Sequence, residues 1–352
     1  MAMISNGPLD LTLELAPRAR FDVVELRSRL SSEHRDALAP YPSCLYWSAH
    51  TTAGFLDRSL ITRLGPGRVP TYVDALRRIF PEGAGYAHDR LDRRIDLDPA
   101  QRAVEPKNAD SHLAYIAGGL RQCVIHPNRP GETVYFVDLD GVNDGRPRRR
   151  HTRVIGFRHE AVVAQIRIDV PMSRHPIESV NLKDPRLGIY DRLAEFVARA
   201  DVGTGRLHLA LDPGERHAAL TVNEFETLLM KYDLAAVLRE PLRFMAAQYR
   251  GLLANPRAAL GYAKYDLVRV LNSGLDTLGL QDSIVEKVLA RTLAVPAARF
   301  FRIRRSVHLL VAEREDGQRG FVEGTYQSPI LVQWQRSPRP ARVLHATLTR
   351  LE

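Results

Sequence analysis

The first fifty residues alternate between three patterns of apolar and polar positions. Leu9 to Leu15 alternates strictly between apolar and polar residues, which predicts a half-buried β-strand. From Phe21 to Leu38 the apolar residues recur at roughly helical spacing, so we predict a helix with Asp22 at its start. Cys44 to Ser48 is a short apolar run that predicts a second strand. The chain therefore opens with a predicted strand, helix and strand.

The following segments continue this mixture of helices and strands. A second helix is predicted from Val69 to Phe80, after a Gly-Pro-Gly break. The stretch 89–107 is rich in Asp and Arg and predicts a solvated loop. Ser111 to Ala117 predicts a helix or a strand. Thr133 to Leu139, which is rich in β-branched and aromatic residues, and Arg148 to Phe157 both predict strands.

The second half of the chain repeats this order of elements. Val162 to Val170 alternates like the first strand, Ile189 to Ala200 matches the first helix, and Arg206 to Leu211 matches the strand before His50. Extra helical material is predicted afterwards, from Glu226 to Leu253 and from Tyr262 to Leu293. An internal repeat of this size indicates two copies of one domain.

Length and composition agree with two domains. The chain has 352 residues, of which 45% are hydrophobic and 26% charged, as in ordinary globular proteins. We predict an α+β protein with two tandem domains, residues 1–158 and 159–352, and place a helical insertion in the second domain at about 226–295.

Net charge, cysteine pattern and targeting signals limit the kinds of ligand and the location that we expect for the chain. The formal net charge is +9 and favours anionic ligands, but the arginines are spread along the chain and aromatic residues are only 7%, so we do not expect nucleic-acid binding. Cys44 and Cys123 form no metal or disulfide motif and predict buried small side chains. No apolar run is long enough to cross a membrane and no signal peptide is evident, so we expect a cytoplasmic protein.

Three histidines lie in short polar motifs of the first half. His50 follows an apolar strand in Ser-Ala-His-Thr-Thr-Ala, His88 ends Tyr-Ala-His, and His112 lies in Asn-Ala-Asp-Ser-His-Leu. If they converge, neutral imidazoles could bind a divalent metal, zinc or magnesium, and leave an open position for a phosphate oxygen. Alternatively one imidazole acts as a general base, or all three are structural histidines with satisfied hydrogen bonds. No organic cofactor is predicted.

Other polar residues near these motifs are candidate ligands of a substrate. Asp110 could orient an imidazole, although Asp and Asn at such positions also cap helices. Arg146 and Arg148 could hold a phosphate, or form a solvated basic strand end. The remaining candidates are small polar side chains, whose alternative role is to hold local turns: Thr51, Thr52, Asn108 and Ser111.

Taken in order, these motifs resemble those of the YjbQ family. His50-Thr51-Thr52-Ala53, Tyr86-x-His88, Asn108-x-Asp110-x-His112-Leu113 and Gly145 to Arg149 match its HTTA, Y-x-H, N-x-D-x-H-L and G-P-R-x-R in the same order. The resemblance implies an α+β fold of two packed mixed sheets with outer helices in each domain. It also implies trimers with a histidine-containing cleft near the subunit contact, and a weak thiamine-phosphate synthase activity.

The second half resembles the same family more loosely. Glu215 to Glu224 keeps the end of the family's H-T-T-A-A-x-T-x-N-E but places Glu215 where its histidine stands. Gly324 to Gln327 is similar to its G-T-W-Q, and Ser337 to Arg342 to its G-P-R-x-R. The first half keeps the histidines, whereas only the second keeps Asn223 and Glu224.

This complementary loss predicts one composite site shared by the two halves. It would combine His50, His88 and His112 with Asn223 and Glu224. The candidate catalytic residues are His50, Thr51, Asp110 and Glu224, and Asn223 joins the first-half polar residues as a candidate substrate ligand. The simpler alternative is that the first half alone is active and the second is a scaffold.

We expect an enzyme that acts on a phosphorylated small molecule, with metal assistance and a thiamine-phosphate-synthase-like reaction as the family-level expectation. The alternative is a non-catalytic binding or assembly protein. The expected partners are an anionic small molecule and either identical subunits or, within one chain, the paired domains.

Overall fold

The computed structural model describes residues 7–143, 145–239, 304–314 and 317–352. The chain forms two compact units. The first unit comprises residues 1–70, 120–225 and 304–352, and the second comprises 71–119 and 226–303. Both units therefore take residues from each half of the sequence, and the predicted boundary near residue 158 between two sequence copies stays a prediction.

The first half of the chain contributes nine of the described strands, all in the first unit. They are β1 (Leu9–Leu15), β2 (Asp22–Glu25), β3 (Ser43–Ser48), β4 (Ala53–Phe55), β5 (Cys123–Pro127), β6 (Tyr135–Asp138), β7 (Val142–Asn143), β8 (Arg146–Pro147) and β9 (Arg150–Phe157). They form a four-stranded sheet in the order β1-β9-β3-β5, a three-stranded sheet β2-β6-β4 and the small hairpin β7-β8.

The second half of the chain forms two sheets with a similar strand order, also within the first unit. Its strands are β10 (Glu160–Pro171), β11 (Glu178–Asn181), β12 (Gly205–Leu211), β13 (Ala218–Asn223), β14 (Ser306–Glu313), β15 (Arg319–Val322), β16 (Ser328–Gln333) and β17 (Ala341–Leu351). The sheets run β10-β17-β12-β14-β15 and β11-β16-β13. With β15 as an added edge strand, each strand of the second half stands where its counterpart stands in the first.

Helices are divided between the units. The first unit contains α1 (Ser32–Leu38), α2 (Arg58–Leu64) and, between β11 and β12, α6 (Ile189–Arg199). The second unit contains most of α3 (Val69–Ile79) and all of α4 (Pro99–Val104) and α5 (Ala109–Gly118). It also contains a π-helical turn after β13 (Leu229–Asp233), which continues into α7 (Leu234–Arg239).

Each half packs its two sheets face to face. In the first half, alternate residues such as Leu13 and Leu15 of β1 meet Phe55 and Phe136 of the smaller sheet. In the second half, Leu207 of β12 and neighbouring apolar residues meet those of β13 and β16. A third cluster joins the larger sheets of the two halves. Strand periodicity thus produces the three apolar layers of the first unit.

The structure is α+β, as predicted, but its sheets are not mixed. All strand pairs among the described residues are antiparallel, so the expectation of mixed sheets was wrong. Each half forms meanders and long returns without the crossover helices that parallel neighbours require.

The strands were predicted better than the first helix. β1 matches the predicted range, while the predicted helix from Phe21 to Leu38 is wrong over its first part: β2 occupies Asp22–Glu25, and a short 3-10 helix follows at Leu26–Arg29. Two consecutive valines favour the strand, and the true start of α1 is capped by Ser31.

The predicted loop 89–107 needs correction, and the later predicted helices are described only in part. The predicted solvated loop 89–107 contains α4 and a buried arginine, Arg94, because Asp98 and Gln101 form a capping box that starts the helix. Of the predicted helix Glu226–Leu253, the described part is the π-helical turn and α7. The helix predicted from Tyr262 to Leu293 lies outside the described residues.

Cys44 and Cys123 are buried free thiols, as predicted. Within the described ranges, no helix combines the length and apolar character needed to cross a membrane. The expected cytoplasmic location stays a prediction.

Candidate functional site

His50 lies in a tight loop between two strands of the first unit. β3 ends at Ser48 and β4 starts at Ala53, so residues 49–52, which we call the His50 loop, connect a strand of the larger sheet to one of the smaller. The Ser48 hydroxyl donates to the Ala53 carbonyl at 3.3 Å and accepts from the His50 N–H at 3.4 Å. This hydroxyl closes the turn that presents the imidazole.

The His50 ring is fixed by the backbone of β9. The N–H of His151 donates to His50 Nε2 at 3.1 Å. Burial, reinforced by the positive charges of Arg150, His151 and Arg148, lowers the pKa of His50 from 6.5 to about 3. His50 is therefore neutral at physiological pH, and because Nε2 accepts a hydrogen bond, its proton resides on Nδ1.

Two carboxamides from the second half of the chain hold the same loop. Asn223, at the end of β13, donates from Nδ2 to the Thr51 carbonyl at 2.8 Å. Gln327 donates from Nε2 to the carbonyls of Ser48 and His50 at 2.8 and 3.0 Å. We call Asn223 and Gln327 the amide pair. Within the first unit, residues of both halves thus build the surroundings of His50.

Gly324 allows the second half to approach this closely. A Cβ atom at this position would lie 1.8 Å from the Ala49 carbonyl oxygen, far inside van der Waals contact. The Gln327 side chain also accepts from the Gly324 N–H at 3.0 Å, which fixes the carboxamide that reaches the loop. Only glycine fits this contact.

The basic strand end near His50 contains one buried and several exposed arginines. Arg150 makes a bidentate ion pair with Asp138, at 2.7 and 2.9 Å, and both side chains are buried. Arg148 is half-buried and pairs with Asp140 at 3.2 Å. Arg146 lies exposed in the β7-β8 hairpin. Of the two arginines predicted to hold phosphate, Arg148 is the one whose charge acts on His50.

The other predicted first-unit residues include two in the His50 loop, Thr51 and Thr52, and one beside Asn223, Glu224. Thr51 and Thr52 serve the turn through their carbonyls, since Thr51 accepts from Asn223 and Thr52 accepts from the Leu139 N–H at 3.0 Å. Glu224 directly follows Asn223 and is half-buried, and its N–H donates to the Asn223 side chain at 2.9 Å.

His88 is the centre of a buried polar cluster in the second unit. Its Nδ1 lies 3.1 Å from Glu226 Oε2, and its Nε2 lies 3.3 Å from Asn108 Oδ1. The Arg94 guanidinium is 3.1 Å from the same Nδ1. Asp233 accepts the backbone N–H groups of Ala87 and His88 at 2.8 and 2.9 Å. His88 is completely shielded from solvent.

His112 packs against His88 within this cluster. The two ring centroids are 5.4 Å apart in an edge-to-face arrangement. His112 lies in the first turn of α5 with Asp110 and Ser111, and all three side chains are buried. Asn108 precedes the helix but makes no side-chain cap hydrogen bond, so its amide serves His88 instead of the helix end. Asn108 thus occupies the N-cap position of α5, where its carbonyl accepts from the Ser111 and His112 N–H groups, without a side-chain cap.

The three histidines that were predicted to bind a metal are divided between the units. His88 and His112 belong to the second unit and His50 to the first, and no described set of three or more His, Cys, Asp or Glu side chains is arranged to hold a metal ion. Nε2 of His50 and both ring nitrogens of His88 already have hydrogen-bonding neighbours. Metal binding by the three histidines stays a prediction.

Sequence reasoning missed several members of both sites. Arg94, Glu226 and Asp233 form most of the polar contacts of His88. The first lies in the stretch predicted as a solvated loop, and the other two lie in a predicted helix that was given no role in a site. Gln327 was recognised as part of a motif but not as a neighbour of His50. The family's G-T-W-Q pattern was the signal that could have placed Gln327 in the site.

The second half contains a loop equivalent to the His50 loop. Residues 212–217, which we call the Glu215 loop, connect β12 to β13. The buried Glu215 carboxylate accepts from Arg342 at 2.9 Å, from Arg339 at 2.7 Å and from the Val343 N–H at 3.0 Å. An acidic side chain is therefore held in this loop, whereas an imidazole is held in the His50 loop.

Comparison with solved structures returns distant matches. A YbjQ-like protein of unknown function from Sulfolobus solfataricus P2 is 17% identical, with a TM-score of 0.30 over 55% of this chain and 99% of its own. A hypothetical protein from Aeropyrum pernix K1 is 16% identical, with a TM-score of 0.30 over 43% of this chain and 99% of its own. The solved structures that are similar to this chain therefore include YjbQ-like proteins.

A third match carries that family name explicitly. An uncharacterized conserved protein of the yjbq/upf0047 family from Clostridium acetobutylicum is 14% identical, with a TM-score of 0.26 over 52% of this chain and 98% of its own. No family model matches the chain, and no curated protein matches it. The neighbours cover about half of the chain, which leaves the tandem duplication a proposal.

Proposed function

We propose that this chain is a YjbQ-like enzyme that acts on a phosphorylated small molecule at the His50 loop. The observation that carries the proposal is the state of His50: its ring is fixed at Nε2 by the His151 N–H, is neutral, and lies among the positive charges of Arg148 and Arg150. An imidazole held in this way offers a preorganised Nδ1–H donor beside positive charge, which suits a phosphate oxygen.

We further propose that the two halves are diverged tandem copies that share this site. Equal strand order in the two pairs of sheets supports the duplication. The amide pair supports the sharing, because Asn223 and Gln327 come from the second half and hold the loop of the first. Glu224, next to Asn223, is the acidic residue of the composite site. Pairing within the chain is then an alternative to the homo-oligomer that the family resemblance implies.

The state of His50 favours a donor role over a general base. A base with a pKa of about 3 removes protons poorly near neutral pH. A neutral donor instead stabilises negative charge as it develops, and it needs no proton transfer to do so. This property selects reactions in which an anionic group departs.

A thiamine-phosphate-synthase-like reaction meets this requirement. A thiazole nitrogen attacks the methylene carbon of a pyrimidine pyrophosphate, the new C–N bond forms, and the C–O bond breaks. Pyrophosphate leaves with the electron pair of that bond, so its growing charge is what the site must stabilise. In the proposed site, His50 Nδ1–H and Arg148 would serve this oxygen, while Thr51 and Thr52 remain candidate substrate ligands.

The experiment is a turnover assay with these two substrates and pyrophosphate release as the signal. We expect His50→Ala to lower kcat by about 100-fold, the usual loss for one preorganised donor. His175→Ala, which removes an exposed histidine of the first unit, is the matched control and should keep full activity. Equal rates in the native chain and His50→Ala would contradict the proposal.

The second candidate function is non-catalytic ligand binding or assembly. It is favoured by the complete burial of His88, whose contacts resemble a structural network. Under this alternative, the native chain binds pyrophosphate in a His50-dependent manner but releases none from the substrate pair.

Metal assistance is tested separately by elemental analysis. The native protein and a His50→Ala, His112→Ala double variant of matched folding are compared after addition of zinc or magnesium. Near-stoichiometric metal that is lost in the double variant would support the three-histidine site. Equal metal content in both preparations would contradict it.

A further inference from the structure

We propose that the Glu215 loop forms a second, separate site that binds a small polyanion. The site is a cleft of about 560 Å³ in the first unit, between the Glu215 loop and the segment that precedes β17. A cleft of this size falls within the range of about 300–1,000 Å³ that is usual for small-molecule sites. It is distinct from the His50 loop, and the proposal does not depend on catalysis there.

The cleft is strongly basic. The described lining has four arginines and one histidine against a single carboxylate: Arg216, Arg336, Arg339, Arg342, His217 and Glu215. Arg216 and Arg336 are exposed, and neither has a carboxylate partner among the described residues. Uncompensated guanidinium groups that converge on a concave surface attract an anion and can hold it through paired N–H donors.

Glu215 organises the cleft instead of neutralising it. Its carboxylate is buried and fixes Arg342, which also donates from Nε to Gln333 Oε1 at 3.0 Å and from NH2 to the Gln335 carbonyl at 2.8 Å. It also fixes one nitrogen of Arg339, whose side chain remains 56% exposed. Arg339 therefore keeps donors for a ligand at the rim, and Glu215 is a positioning residue.

The loop backbone is also held in an uncommon conformation. His217 has φ of 58°, in the left-handed region that non-glycine residues rarely adopt. Its carbonyl accepts from the Trp334 N–H at 3.0 Å, and this bond fixes the residue at the edge of the cleft. Such local strain recurs at binding sites, where the surrounding structure maintains it.

The charges and the lining point to a ligand with more than one anionic group. Among the described residues, the lining contains no Phe, Tyr or Trp, so these residues offer no platform on which a nucleobase would stack. Two exposed arginines and the free donors of Arg339 instead match two neighbouring phosphoryl groups. Inorganic pyrophosphate is the smallest probe of this class.

The test is calorimetric titration of the full chain with pyrophosphate at low ionic strength. We expect the Arg216→Ala, Arg336→Ala double variant to bind at this site at least about tenfold more weakly, because two charge-assisted contacts are lost. The control is Arg192→Ala, Arg199→Ala, which removes two exposed arginines from α6 in the same unit and should leave binding unchanged. His50→Ala should also retain this binding, which separates it from the His50 loop.

Three outcomes would overturn the proposal. The native chain would fail to bind pyrophosphate, the two double variants would weaken binding equally, or binding would disappear in His50→Ala while persisting in the Arg216, Arg336 variant. Because both arginines are exposed, loss of folding is not expected, and circular dichroism of each variant verifies this. Arg336→Glu, a charge reversal at one exposed position, should weaken binding further than Arg336→Ala.

Discussion

The His50 loop and the Glu215 loop occupy matching positions but balance a buried arginine in different ways. In each half, the residue after that arginine donates its N–H to a side chain of the loop: His151 to His50 at 3.1 Å, and Val343 to Glu215 at 3.0 Å. The buried arginines themselves are Arg150 and Arg342. The framework is the same, and the side chain it holds is not.

The carboxylate has a different position in the two halves. In the first half Asp138 on β6 pairs with Arg150, and in the second half the equivalent strand position carries Gln333. The equivalence follows from register, because Asp138 pairs with Ala53 of β4 as Gln333 pairs with Ala218 of β13. A carboxylate on the strand leaves the loop free to carry a neutral imidazole, whereas a carboxylate in the loop excludes one.

The largest expected effect comes from removing the carboxylate in the second half. Glu215→Ala leaves Arg342, which is 1% exposed, without its charged partner, so we expect a loss of about 3–5 kcal/mol in the free energy of unfolding. Urea unfolding measures it. Glu195→Ala, which removes an exposed helical carboxylate, should change stability by less than about 0.5 kcal/mol. Equal losses in the two variants would show that Arg342 is satisfied without Glu215.

Gly324→Ala should damage the first-half loop from the second half. The added Cβ meets the Ala49 carbonyl oxygen, so the loop must move, and we expect a loss of about 2–3 kcal/mol in the free energy of unfolding. Turnover should fall as well, since the displaced backbone carries His50. Gly67→Ala has open space around its Cβ and is the control. An unaffected Gly324→Ala would contradict the close approach of the two segments.

The different carboxylate positions can be exchanged experimentally. Glu215→His should destabilise the chain, and adding Gln333→Asp should restore about 1–2 kcal/mol, because the new carboxylate can pair with Arg342 as Asp138 pairs with Arg150. Recovery should be partial, since Glu178 Oε2 lies 3.3 Å from the Gln333 amide and would repel an acid there. Additive effects in this double-mutant cycle would argue against the equivalence of the two halves.

The buried His50 should make the chain sensitive to acid. The pKa of His50 is about 3 in the folded chain and 6.5 in the unfolded chain, so between these pH values the unfolded state binds a proton that the folded state does not. Its contribution to stability therefore falls as pH decreases below 6.5, by about 2 kcal/mol at pH 5. His50→Gln should lack this part of the acid sensitivity, whereas His175→Gln should retain it. Identical pH profiles for native and His50→Gln would contradict a buried neutral imidazole.

Sequence patterns predicted what depends on local periodicity. The alternation of Leu9 to Leu15 gave β1 at its observed bounds, and the apolar run before His50 gave β3. The Phe21–Leu38 helix failed because Val23 and Val24 fit both a helical face and a strand, and pairing with β6 decided between them. The local spacing of apolar residues contains no information about a partner strand that lies more than a hundred residues away.

In the candidate sites, too, the sequence predicted residues that belong to motifs but not contacts that depend on the tertiary structure. Motif order brought Asn223 into the prediction, and it does contact Thr51. The burial of Arg94 could not be predicted, because only the folded chain brings its guanidinium next to Glu226 and His88. The neutrality of His50 also depends on tertiary contacts, namely burial and the nearby Arg150.

The most direct test of the central claim, that His50 is a fixed neutral donor, is its nitrogen NMR spectrum across pH 8 to 5. Comparison with His50→Gln assigns the signal. The structure predicts a neutral ring protonated at Nδ1 with no titration in this range, because Nε2 accepts the His151 N–H. A ring that titrates near 6.5, or that carries its proton on Nε2, would contradict the account.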